Sequence, residues 1–166
     1  DPADPHQPIT SLVTIENTHA HSMAQPLSLD YTRAVGKIAH AHGVPLHVDG
    51  ARFFNAAVAL GLTPRQLAEP ADSIAFCLSK GLACPVGSIV VGSKEFIHRA
   101  WRGRKLVGGG MRQVGVLAGA GLVALRAGSP AVCVVVGGPL VPVLGRGPVL
   151  VTAGCRDVGC VGLPVT

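Results

Sequence analysis

The chain has 166 residues, with 14 Lys and Arg against 9 Asp and Glu and 48% hydrophobic residues, which is enough for one domain with a core of its own. The basic excess gathers in Lys94, Arg99, Arg102, Arg104, Lys105 and Arg112, and aromatic residues are only 4% of the chain with none forming a stacking platform beside that cluster, so nucleic acid is not an expected partner. Five cysteines, an odd number with no secretory apolar segment ahead of them, do not make a disulfide framework, and Gly and Pro interrupt the apolar runs before any can cross a bilayer. The chain starts at Asp1 rather than Met, so a longer protein upstream is expected, together with any targeting segment; the expected compartment is the cytoplasm.

Asp1–Pro8 reads as loop, and Leu12–Ile15 is a short apolar strand running into Glu16-Asn17-Thr18-His19. Residues Ala20–Pro26 connect it to a helix capped by Ser28, in which Tyr31, Ala34, Val35, Ile38 and Ala39 recur at the spacing of a buried stripe. Gly43 and Pro45 close that helix. A strand over Val44–Val48 then ends at Asp49, helix follows through Ala56–Leu60 to Gly61, and Thr63-Pro64 opens another short helix. Ile74–Leu78 alternates as a half-buried strand that ends at Ser79-Lys80, and Ser88–Val91 is the next strand. Ser93 caps a helix with Phe96, Ile97, Ala100 and Trp101 on one face; after Gly108-Gly109-Gly110, a last stripe joins Val114, Leu117, Ala118, Leu122 and Leu125.

Strands alternating with helices predict a largely parallel sheet covered on both faces, in which ligands collect at the carboxyl ends of the strands. Glu16-Asn17, Asp49 and Lys80 each fall at such an end. Lysine loses its charge readily on desolvation, and a neutral amine is what imine chemistry requires. A carboxylate at a neighbouring strand end would keep a pyridine nitrogen protonated, so Lys80 with Asp49, 31 residues earlier, is the pair a pyridoxal phosphate site needs. Arg52 is placed to reach a carboxylate or the cofactor's phenolate oxygen, and Asp49 can also act as a helix N-cap. His19-Ala20-His21 and His40-Ala41-His42 do not predict a metal, because residues two apart do not face one another on a helix and no cysteine stands at ligand spacing.

Four segments carry a family resemblance: Glu16-Asn17-Thr18-His19; His47-Val48-Asp49-Gly50-Ala51-Arg52-Phe53-Phe54-Asn55-Ala56; Cys77-Leu78-Ser79-Lys80-Gly81-Leu82 with Pro85-Val86-Gly87-Ser88; and Arg104-Lys105-Leu106-Val107-Gly108-Gly109-Gly110-Met111-Arg112-Gln113. In this order across Asp4–Leu125 they resemble the low-specificity L-threonine aldolases, fold-type I pyridoxal phosphate enzymes. The resemblance implies part of the large domain of a fold-type I pyridoxal-phosphate-dependent transferase over residues 1–127. It makes Lys80 the cofactor lysine, Asp49 the partner of the ring nitrogen, Arg52 a ligand of substrate carboxylate or cofactor oxygen, and Arg112 a group near the cofactor phosphate. His6 is the group implied near the substrate β-hydroxyl. The implied reaction is retro-aldol cleavage of a β-hydroxy-α-amino acid to glycine and an aldehyde, in a homo-oligomer assembled as a dimer of dimers. Another fold-type I lyase activity, and a non-catalytic chain that pairs with a full-length subunit, are the competing readings.

The match departs from the family in three places. The family's phosphate-binding Gly-Thr segment and ring-stacking histidine have no counterpart here, and Ser22-Met23-Ala24 stands where a glycine pair is favoured, which predicts strain in a loop that needs positive φ. Residues 128–166 hold eight Gly, five Pro and eleven Val with only Arg146, Arg156 and Asp157 as charges; no period is sustained, so an irregular tail not selected to fold is expected. The chain on its own is therefore expected to be catalytically weak or inactive.

Overall fold

The computed structural model describes residues 4–126; the expected tail, residues 128–166, lies outside them. The elements are β1 (Val13–Glu16), α1 (Leu29–Ala41), β2 (Leu46–Asp49), α2 (Phe53–Ala59), α3 (Pro64–Ala68), β3 (Ser73–Cys77), β4 (Ser88–Gly92), α4 (Lys94–Leu106) and α5 (Gly115–Arg126). The sheet has the order β1-β2-β3-β4, with β1, β2 and β3 parallel and β4 antiparallel on β3. The fold is α/β, as expected. Each strand lies within about a residue or two of its expected place, and Asp49 is the last residue of β2 rather than the first beyond it.

Register decides what each face carries, because paired residues point the same way. Ile15, Val48, Ile74 and Val91 share one face, and Leu46, Phe76 and Ile89 belong to it by alternation. Val48, Ile74, Phe76 and Leu78 pack there with Phe53, Ala56 and Ala57 of α2 and Leu67 of α3 as one core. The other face is more polar: Glu16 pairs with Asp49, and His47 Nδ1 lies 2.8 Å from Ser73 Oγ. Helix α4 begins on that second face, since a Cβ on Gly92, the partner of Ser73, would stand 2.6 Å from Phe96 Cδ1.

The caps form as their side chains dictate. Ser28, Thr63 and Ser93 accept the amides of Tyr31, Gln66 and Phe96, and Thr63 with Gln66 closes a capping box in front of Pro64. Two helical stripes turn out differently from expectation. In α1 the buried residues are Thr32, Gly36 and Ala39, whereas Tyr31 and Ile38 are exposed, Ile38 at 65%. A Cβ on Gly36 would lie 3.1 Å from Pro70 O and 3.5 Å from Leu46 Cδ2, so the helix turns its narrowest side to the sheet and comes close. In α5 the same choice puts Gly121 against Leu78 and leaves Leu122 and Leu125 exposed. The shared face of α4 buries none of its residues, and Trp101 is 65% exposed.

Candidate functional site

Because β1, β2 and β3 run the same way, their carboxyl ends meet at one edge of the sheet. There the ladder continues past the strands: the Asn17 amide donates to Asp49 O at 2.9 Å and the Gly50 amide to Ala75 O at 2.7 Å. The buried Asn17 side chain donates to Leu27 O and accepts the Leu27 amide, 3.3 and 3.1 Å, which anchors the loop between β1 and α1. Asp49 is exposed, and its Oδ1 accepts the Ala51 amide at 3.2 Å, an Asx-type turn that leads into α2. Arg52 sits half-buried at the N-cap position of α2.

Lys80 follows the end of β3 by three residues, in a turn where the Ala83 amide donates to Lys80 O at 2.9 Å and the Cys84 amide to Leu78 O at 3.0 Å. It is exposed, and neither Lys80, Asp49, Arg52 nor Arg112 has an ion pair among the described residues. At the same edge Glu16 lies 3.7 Å from His19 Nε2, and His19 Nδ1 is 2.7 Å from Ser22 Oγ. Thr18 Oγ1 is buried without a hydrogen-bond partner among the described residues. The edge thus gathers an amine, a carboxylate and a guanidinium that no protein counter-charge occupies.

Two further expected site residues, His6 and Arg112, are both exposed. His6 is on an exposed loop, its side chain 91% accessible, and its polar partner is Asp4, 3.1 Å from Nδ1. Arg112 is exposed in the turn between α4 and α5, where Arg104 Nε donates to Gly109 O at 2.7 Å and braces the glycine run. Sequence reasoning gave no role to Asn55, although it lies inside the Asp49 motif. The signal was the Gly after Lys80: the space for a Cβ on Gly81 is filled by the Asn55 amide.

The sequence profile of the beta-eliminating lyases matches residues 1–133. The chain belongs to the beta-eliminating lyase family. Within it, the chain is similar to low-specificity L-threonine aldolase 1 of Arabidopsis thaliana, 57% identical over 119 residues that make up 72% of this chain and 33% of that protein. It is similar as well to the low specificity L-threonine aldolase of Escherichia coli K12, 46% identical over 125 residues, 75% of this chain and 37% of that one. The chain spans about a third of the length of the curated relatives it matches. In fold it is similar to the crystal structure of an L-allo-threonine aldolase candidate from Listeria monocytogenes, with TM-score 0.67, 20% identity and coverage of 74% of this chain and 34% of that chain. As a beta-eliminating lyase relative, the chain keeps the parallel part of the sheet and the edge on which Glu16, Asp49 and the Lys80 turn converge.

Proposed function

We propose that this chain supplies the lysine and aspartate side of a pyridoxal-phosphate-dependent threonine aldolase site, for cleavage of L-threonine or L-allo-threonine to glycine and acetaldehyde. The observation that carries the reading is that Asp49 ends β2 and Lys80 follows β3, the adjacent parallel strand, at one edge of the sheet, neither with an ion pair among the described residues. The relatives are named as threonine aldolases, and pyridoxal phosphate follows from the family rather than from an observed ligand. The residues fit that cofactor by their donor chemistry: a carboxylate for a pyridinium N–H, an amine for an aldehyde carbon, and a guanidinium for an anionic oxygen.

When bound, the cofactor would supply an electron sink for the pair released as the Cα–Cβ bond breaks. Lys80 would hold the cofactor covalently and yield its place to the substrate amine. Asp49 would keep the ring nitrogen protonated by accepting its hydrogen bond. Arg52 would clamp the substrate carboxylate and set the orientation of the breaking bond, an effect of positioning. A base must take the β-hydroxyl proton, and His6 is the residue the family resemblance offers for it. Arg112 would lie near the phosphate, across a subunit boundary in a homo-oligomeric assembly.

The test is to add pyridoxal phosphate to the full chain, reduce with borohydride and map the modified lysine by mass spectrometry. Lys80 is expected to be labelled ahead of Lys37, Lys94 and Lys105, and the label at that position to vanish in Lys80→Ala. Equal labelling of all four would overturn the reading. Glycine release from threonine by the chain alone is expected to be weak, and assays for aldehyde, ammonia and sulfide separate aldol cleavage from elimination.

A second reading has the chain pair with a complete subunit of the same family. It is favoured by the large apolar side chains exposed on α4 and α5, among them Trp101, Leu106, Val116 and Val123. Copurification with a complete subunit, without cofactor colour in the chain alone, is its expected signature.

A further inference from the structure

The two halves of the candidate site come from different parts of the chain; Leu78, Leu82 and Cys84 of the Lys80 turn share a core with Phe53, Ala56 and Ala57 of α2, and the Asn55 amide meets the turn at its glycine. Asn55 stands on α2, the helix that begins at Phe53 directly after Arg52 and four residues beyond Asp49. It is 9% exposed, and its amide fills the space beside Gly81, the residue next to Lys80. A Cβ built on Gly81 would overlap Asn55 Oδ1 and come within 2.9 Å of Asn55 Cγ and 3.1 Å of Nδ2. No side chain at position 81 could coexist with the amide where it stands. The turn itself is closed by backbone bonds, from Ala83 to Lys80 and from Cys84 to Leu78, and these fix its shape without fixing its distance from the β2–α2 loop. Beside the core packing of Leu82 and Cys84 on α2, the Asn55–Gly81 contact is a van der Waals stop between buried groups, which limits how closely the turn and the helix can approach.

We infer that Asn55 is a positioning residue: its packing against Gly81 holds the Lys80 turn in place relative to the Asp49–Arg52 segment. The inference rests on the proposed role of Lys80 for its consequence, but the contact can be tested without any cofactor.

Hydrogen exchange of the full 166-residue chain reads the turn directly through the Ala83 and Cys84 amides. Local opening sets the exchange rate of such amides, so Asn55→Ala should speed both by about ten-fold while the Val48 and Ile74 amides keep their protection. Asn55→Ser carries the same comparison at less risk to the fold. Gly81→Ala should loosen the same two amides, and adding Asn55→Ala to it should restore part of their protection, since the colliding amide is gone. In cofactor labelling, Gly81→Ala should lower the share of label at Lys80 while Lys37 and Lys94 keep theirs, a readout that general destabilisation would not move selectively.

Unchanged exchange at Ala83 and Cys84 in both Asn55→Ala and Asn55→Ser overturns the inference, whatever the labelling shows. A wild-type chain that takes no preferential label at Lys80 overturns the proposed function instead, and the exchange rates still decide the role of Asn55.

Discussion

Glu16 and Asp49 are register partners in the parallel β1–β2 ladder, so both carboxylates leave the same face of the sheet at its carboxyl edge. Glu16 lies 3.7 Å from His19 Nε2. Asp49 has no ion pair among the described residues. Replacing Asp49 by Ala should weaken pyridoxal phosphate binding about 10- to 100-fold, the worth of one hydrogen bond between charged groups. Glu16→Gln should bind within a few-fold of wild type. A fluorescence titration of the two variants checks the difference.

The loop after β1 holds Met23 at φ 54° and Ala24 at φ 53°, two consecutive non-glycine residues in the left-handed region. This is the strain expected where the related sequences favour a glycine pair. Met23→Gly and Ala24→Gly should each stabilise the chain by about 1 kcal/mol, since the left-handed conformation costs a side chain roughly that much and glycine nothing. Urea denaturation of the single and double variants measures it.

At the opposite edge, Asp72 Oδ2 lies 2.7 Å from His40 Nε2 and accepts the Leu46 amide at 2.7 Å. Partial burial works against ionisation of Asp72, but the Leu46 amide and His40 together outweigh it and hold the carboxyl below its ordinary value of 3.8. The folded form thus binds this proton less readily than the unfolded one. The stability it contributes is complete above about pH 3.8 and is lost as pH falls through the lower folded value. Asp72→Asn should lower stability near neutral pH and flatten its decline below about pH 4, as followed by denaturant midpoints across that range.

Gly36 lets α1 approach the sheet, with Pro70 O only 3.1 Å from where a Cβ would be. Gly36→Val should push the helix off Leu46 and cost about 1–3 kcal/mol, the range for overpacking a close contact. A thermal melt showing no loss would mean that the helix can slide without penalty.

Much of this molecule was legible from local chemistry. Alternation placed β3, hydroxyl caps placed the starts of α1, α3 and α4, and the order of elements put Glu16, Asp49 and Lys80 each at the carboxyl end of a parallel strand. These depend on backbone geometry within a few residues, which side chains specify directly. The buried sides of α1 and α5 were not legible, because small residues rather than large ones mark the contact when two backbones come close, and periodicity weighs only size and polarity. The meeting of Asn55 with Gly81 was decided by tertiary structure alone. A contact across 26 residues depends on how α2 packs beside the β3 turn, and no local pattern in the chain encodes that packing.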